Sequence, residues 1–191
     1  MIPAQYTRLL MIHGIVAIAV TGLWAMGVVL FGQFTDFQAR ALATTFVVGY
    51  YSLTTAATFG EGKVFGIIAP AGAVIACVGL FVTIPMIWGT DYNYNDVTFK
   101  MVFSTAAVAF GVAHAAINLR VSGKSPASVI VVTFANICVL GVTVMVVHLI
   151  TIAESMPGDM YIRVLIALMI ANVTLSLINP IFARMTRVTA R

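Results

Sequence analysis

Hydrophobic residues fall in six long runs separated by short polar stretches. Crossing the hydrocarbon core of a bilayer takes about 20 helical residues, and each run is close to that length or longer. The pattern predicts six membrane-spanning helices, at residues 9–31, 41–59, 64–88, 99–119, 127–152 and 161–183. None of the runs alternates between apolar and polar residues at every second position, so a transmembrane barrel is not expected.

The connections between these runs are short, so neighbouring helices are expected to form antiparallel hairpins in one bundle. Residues 1–191 are interpreted as a single transmembrane domain, because almost nothing remains for a soluble one. The predicted fold class is an all-α integral membrane protein. A signal peptide is not expected, since the first apolar run is too long and ends without a small-residue cleavage site.

The composition supports this class. Hydrophobic residues make up 61% of the 191 residues and charged residues 8%, proportions outside the range of soluble globular domains. A net charge of +4, carried by so few charged groups, cannot form the dense basic face that binds nucleic acid. Cys77 and Cys138 both lie in apolar runs and are expected to be buried, inert thiols.

Basic residues are divided unevenly between the two ends of the predicted bundle. The end that holds the N-terminus has one acid, Glu61, and these basic residues: Arg8, Lys63, Arg120, Lys124, Arg184, Arg187 and Arg191. The opposite end is richer in acids, and its basic residues are Arg40, Lys100 and Arg163. Because positively charged segments stay in the cytoplasm, both termini are predicted to be cytoplasmic, with the protein in the cytoplasmic membrane.

The sequence also contains an internal repeat. Residues 18–24 of the first helix align without a gap with residues 75–81 of the third, which pairs Gly22 with Gly79. The fifth helix holds a weaker copy around Gly141, and each even-numbered helix opens with a basic residue. We interpret the chain as three copies of one helical hairpin, which could surround a common centre.

Polar side chains at membrane depth are concentrated in the even-numbered helices. Such residues avoid lipid and face another helix or a wet cavity, so the even-numbered helices are predicted to line a solute path, with the glycine-rich odd-numbered helices outside them. The predicted path residues are Ser52, Thr55, His114, Asn172, Ser176 and Asn179. The alternative interpretation is that these side chains only hydrogen-bond their own or a neighbouring helix.

Patterns that carry catalysis or bind metals are missing from the sequence. No carboxylate lies inside the six runs, which favours passive conduction over pumping, since ion-coupled transporters usually use an intramembrane acid. No hydrolase, zinc-protease, P-loop or di-iron motif is present, so neither an enzyme nor a metal site is predicted. His13 and His114 lie near the same end and are the one pair that could hold a b-type haem; otherwise no cofactor is expected.

Short segments resemble two groups of bacterial channels. Gly14-Ile15-Val16, Phe46-Val47-Val48-Gly49, Gly89-Thr90-Asp91, and Ser176 with Pro180 are similar to the amide and urea channel family. The run from Phe46 to Pro85, including Gly62-Lys63-Val64-Phe65-Gly66, resembles the acetate uptake family. The Asn-Gly pair of the urea family stands here as Thr21-Gly22. The resemblance implies a six-helix channel in which each protomer of a homo-oligomer has its own lumen.

The sequence therefore predicts a membrane channel or facilitator for a small polar or weakly acidic solute. Its expected partners are the lipid bilayer, the solute and further copies of the chain. The alternative is a non-catalytic accessory subunit of a larger membrane complex, with His13 and His114 either on haem b or purely structural.

Overall fold

The computed structural model describes residues 4–31, 35–59, 63–89, 96–121, 126–151 and 158–188. These residues form six α-helices and no strand: α1 (Ala4–Phe31), α2 (Asp36–Thr58), α3 (Phe65–Trp88), α4 (Asp96–Val121), α5 (Pro126–Thr151) and α6 (Asp159–Val188). The all-α class and the six helices are confirmed. Helices α1 and α2 each begin five residues before the predicted start, because their first turns are polar and lie outside the apolar runs.

Within the residues that the structure describes, four segments are long and apolar enough to cross a membrane: Phe65–Trp88, Asp96–Val121, Pro126–Thr151 and, in α6, Asp159–Ile181. These segments identify a membrane protein, as the hydropathy pattern predicts. Helix α1 holds a shorter apolar stretch, Ile12–Gly27, and α2 is not among the four.

Each even-numbered helix begins with an aspartate and carries a basic residue four positions later. The pairs are Asp36 with Arg40, Asp96 with Lys100, and Asp159 with Arg163. An acid in the first turn is stabilised by the positive end of the helix dipole, which favours a helix start at these positions. In the described part of the chain only Lys100 pairs with its aspartate, at 2.7 Å between Nζ and Oδ2.

In the part of the chain that the structure describes, the odd-numbered helices pack only against even-numbered ones. Among the described residues, α1 packs against α2, α3 against α2 and α4, and α5 against α4 and α6. Helix α4 also packs against α2 and α6, so the even-numbered helices form a row in the order α2, α4, α6. Neither α1 nor α2 contacts α6 in these residues. The described part of one chain is therefore an open row and not a closed ring.

The packed centre of the row lies at Tyr51 on α2. Its side chain is 2% exposed and contacts Ala76 on α3 and Ala109 on α4. Gly79 of α3 lies directly against the Tyr51 ring, so an added Cβ there would overlap the ring. Gly22, which the repeat aligns with Gly79, has no described neighbour within 4 Å of its Cβ position. The aligned glycines thus have different environments, and the repeat stays a prediction.

Two arginines connect the helices, one near each end of the bundle. Arg40 of α2 donates to the main-chain carbonyl of Trp88 at the end of α3, at 3.2 Å. Arg120 of α4 donates to the carbonyls of Ala57, at 3.0 Å, and Phe59, at the end of α2. The last carbonyls of a helix lack helical donors and carry partial negative charge. The guanidinium groups therefore satisfy these helix ends while holding them to a neighbour.

Both cysteines are free thiols, but only Cys138 is buried, whereas Cys77 is exposed. The prediction that Cys77 is buried is wrong. Helix α3 buries a single stripe of residues, spaced three or four apart: Phe65, Ala69, Gly72, Ala76, Gly79 and Thr83. Cys77 follows Ala76 directly and so lies outside that stripe.

Candidate functional site

Four of the six predicted path residues lie along the contact between α4 and α6. His114 is on α4, and Asn172, Ser176 and Asn179 are on α6. The other two, Ser52 and Thr55, lie on α2, which does not contact α6 in the described residues. The structure thus divides the predicted path residues into two groups.

The first set of contacts runs from α4 into one face of α6. Nε2 of His114 lies 3.0 Å from Oγ of Ser176. The hydroxyl of Ser176 in turn donates to Oδ1 of Asn172, one turn earlier on α6, at 3.3 Å. The His114 ring also lies 5.9 Å, centroid to centroid, from the Phe110 ring, so packing and hydrogen bonding both hold the imidazole.

The second set of contacts joins α4, α5 and α6. Asn179 is 0% exposed, and its Nδ2 donates to the main-chain carbonyl of Asn118 at 2.9 Å. Its Oδ1 accepts from Oγ of Ser128 on α5 at 3.4 Å. Nδ2 of Asn118 donates to Oδ1 of Asn136, also on α5, at 3.3 Å. The amide of Asn179 is therefore satisfied at both ends, as a buried amide requires.

Sequence reasoning missed three residues of these contacts: Asn118, Ser128 and Asn136. A signal for two of them was present. The asparagines located in helices are Asn118, Asn136, Asn172 and Asn179, and all of them make the contacts just described. Since an amide without a partner is costly in lipid, an asparagine in an apolar run marks a helix contact. We call these asparagines, with His114, Ser128 and Ser176, the α4–α6 network.

A cavity of about 290 Å³ adjoins this network. Its lining comes from α4 and α6: His114, Ile117, Asn118, Val121, Ser176 and Pro180. A water molecule occupies roughly 30 Å³ in the liquid, so the space suits a solute of a few heavy atoms. Pro180 has no N–H, which leaves the carbonyl of Ser176 without its usual helical donor. We call this space the α4–α6 cavity.

A larger cavity, of about 520 Å³, lies between α4 and α5. Its α4 lining includes Val108, Val112 and Ala115, whereas His114 and Ile117 line the α4–α6 cavity. Helical spacing places these two sets on different faces of α4. The larger cavity is lined mainly by aliphatic side chains, and its polar lining residues are Asn136, Thr143, His148 and Thr151.

The α2 residues do not take part in the α4–α6 cavity. Ser52 is half-buried, and Oγ1 of Thr55 is buried with no hydrogen-bond partner among the described residues. Neighbouring hydroxyls on α2 bond their own helix: Thr54 donates to the carbonyl of Tyr50 at 3.1 Å and Thr58 to that of Thr55 at 2.7 Å. This is the intrahelical arrangement that the alternative interpretation expects.

The described residues do not bring the histidine pair, His13 and His114, together. His13 is exposed, and its Nδ1 lies 2.8 Å from the carbonyl of Leu9 on its own helix. Helix α1 does not contact α4 among the described residues, whereas two axial imidazoles must face one iron from opposite sides. His114 is engaged with Ser176 instead. Within the same residues, no group of three His, Cys, Asp or Glu could hold a metal ion.

In comparisons with protein-family models, curated proteins and solved structures, none matches the chain. The resemblance to the two channel families therefore stays a prediction from the sequence.

Proposed function

We propose that the protein is a membrane facilitator for a small polar solute, and that the solute binds in the α4–α6 cavity. The observation that carries the proposal is this cavity, in which His114, Asn118 and Ser176 share one lining. Polar groups are expensive at membrane depth and are typical of solute pathways there.

The network gives the cavity a fixed geometry. Ser176 is held between His114 and Asn172, and Asn118 is held by Asn136 and Asn179. Side chains positioned in this way lose little freedom when a solute binds. A solute entering from water would exchange its hydration for these polar groups, while Ile117 and Val121 supply apolar contacts.

The proposal describes passive movement. The six apolar runs contain no carboxylate that could bind a driving ion, so the solute would follow its own gradient. Since the row of even-numbered helices is open, we expect a second copy of the chain to complete the path, as in the homo-oligomer that the sequence predicts.

The test is solute flux into liposomes that contain the purified protein. Ile117 lines the cavity and makes no hydrogen bond in the network, so Ile117→Trp would fill the space and leave the network intact. The matched control is Ile130→Trp, at an exposed position on α5 that lines neither cavity. A panel of small polar solutes should enter faster than in protein-free liposomes, and Ile117→Trp alone should slow the entry.

If every solute entered liposomes with and without the protein at the same rate, the proposal would be refuted. Equal slowing by both tryptophan variants would also contradict it, because the cavity would then have no special role.

A second function is favoured by the hydrogen bonds of Asn179. The amide of Asn179 has both of its ends satisfied inside the protein, which is also what a purely structural contact requires. The chain would then be a non-catalytic subunit of a larger membrane complex. Stoichiometric co-purification of other subunits in mild detergent, together with absent flux, would support this function over the facilitator.

A further inference from the structure

The directions of the hydrogen bonds indicate which atoms of the residues lining the α4–α6 cavity keep a free lone pair. The hydroxyl hydrogen of Ser176 is used in its bond to Oδ1 of Asn172, an atom that can only accept. The contact between Ser176 Oγ and His114 Nε2 must therefore use a hydrogen on the imidazole. A neutral His114 then carries its hydrogen on Nε2, and Nδ1 is left as an acceptor.

Two more acceptors belong to the same lining. Asn118 uses Nδ2 to donate to Asn136, and its Oδ1 has no partner among the described residues. The carbonyl of Ser176 is the second, because the donor one turn later would be the N–H that Pro180 lacks. The lining residues therefore carry three free lone-pair acceptors against one unused donor hydrogen, the second N–H of Asn118 Nδ2, while the hydrogens of His114 and Ser176 are already engaged.

We propose that the α4–α6 cavity selects solutes that donate hydrogen bonds, namely ammonium and short primary amines, over carboxylates. This inference rests on the proposed function and names its substrate class. A carboxylate would place its own lone pairs against the three acceptors, and each unmatched polar contact costs affinity. An N–H donor satisfies the same atoms directly, and neutral oxygen and nitrogen ligands can replace the hydration of a small cation.

Pro180→Ala tests the inference with little risk to the fold. Alanine supplies the missing N–H, which would bond the Ser176 carbonyl and remove one acceptor from the cavity. Replacing a proline inside a helix by alanine also favours the helix. The matched control is Pro70→Ala, at an exposed position inside α3 that lines neither cavity.

The experiment measures uptake of radiolabelled methylammonium and of acetate into liposomes that contain the full chain, at neutral pH, against protein-free liposomes. Methylammonium uptake should exceed acetate uptake. Pro180→Ala should lower methylammonium uptake by about fivefold, the effect of losing one hydrogen bond, and Pro70→Ala should leave it unchanged.

The outcomes separate the inference from the proposed function. If protein-dependent uptake of acetate exceeded that of methylammonium, the inference would be overturned and the proposed facilitator function would stand. The same conclusion would follow if Pro180→Ala did not change methylammonium uptake. Protein-dependent uptake of other small polar solutes, but of neither probe, would also overturn the inference alone. If no solute of the wider panel enters in a protein-dependent way, the proposed function fails and the inference fails with it.

Discussion

The side-chain amide of Asn179 donates to the main-chain carbonyl of Asn118 at 2.9 Å, which fastens α6 to the end of α4. The same last turns of α4 hold α5 through the side chain of Asn118 and α2 through Arg120. The C-terminal end of α4 is thus joined to three other helices, and the α4–α6 cavity adjoins this junction.

Asn179→Ala should destabilise the protein. The substitution removes the bond to Asn118 and leaves the hydroxyl of Ser128 without Oδ1 of residue 179. Interhelical hydrogen bonds in membrane proteins contribute roughly 0.6–2 kcal/mol, so we expect a loss of about that size in the free energy of unfolding. Denaturation in detergent, followed by circular dichroism, measures it. Thr174→Ala, at an exposed site on the same helix, is the control, and an equal loss there would contradict the prediction.

Gly79→Ala and Gly22→Ala should have opposite effects on stability. A Cβ at Gly79 would overlap the buried Tyr51 ring, and overpacking of this kind costs about 1–3 kcal/mol. A Cβ at Gly22 meets nothing within 4 Å, so alanine there should stabilise α1 by up to about 1 kcal/mol through helix propensity. Thermal unfolding of the two variants side by side gives the comparison. Similar effects would mean that the two glycines have equivalent environments after all.

The sequence predicted the helices well because hydropathy depends on each segment by itself. It predicted that consecutive helices pack together, but not which non-consecutive helices touch, because that depends on contacts between residues far apart in the chain. Thr55 and Asn179 look alike in a list of polar residues at membrane depth, yet they lie on helices that do not touch in the described residues. Asn172 and Ser176 lie four residues apart, a spacing that places them on one face of α6, where they contact each other.

The internal repeat also shows that a sequence pattern does not predict the contacts between distant residues. A local sequence match aligned Gly22 with Gly79, but a glycine's role depends on what packs against it. Helix α3 lies between α2 and α4, whereas α1 has α2 as its one neighbour among the described residues. The same residue type therefore permits a close contact with Tyr51 in one copy and faces open space in the other.

Thr44→Val should change the environment of Trp88, and Thr45→Val should not. The indole N–H of Trp88 donates to Oγ1 of Thr44 at 2.8 Å, whereas the hydroxyl of Thr45 bonds the carbonyl of Ala41 on its own helix. The chain has two tryptophans, so Trp24→Phe isolates the emission of Trp88. We expect a shifted emission maximum in Thr44→Val only, and an unchanged maximum would contradict the contact between α2 and α3.

Single cysteines should report the orientation that the charges predict. In a background with Cys77→Ala and Cys138→Ala, Lys63→Cys and Asp159→Cys place one thiol at each end of the bundle, both at exposed positions. A membrane-impermeant maleimide applied to intact cells should label Asp159→Cys alone, because the basic end is predicted to face the cytoplasm. Labelling of Lys63→Cys in intact cells would contradict the predicted orientation. Lysed cells, in which both variants should be labelled, provide the positive control.

Helix α2 has three helical neighbours among the described residues, yet it is not one of the segments apolar enough to cross a membrane by itself. Helix α2 packs against α3 and α4 as well as against α1, and α3 and α4 are synthesised after it. A newly made α2 would thus gain little by entering lipid alone. We therefore expect the insertion of α2 to be coupled to the folding of the helices that follow it.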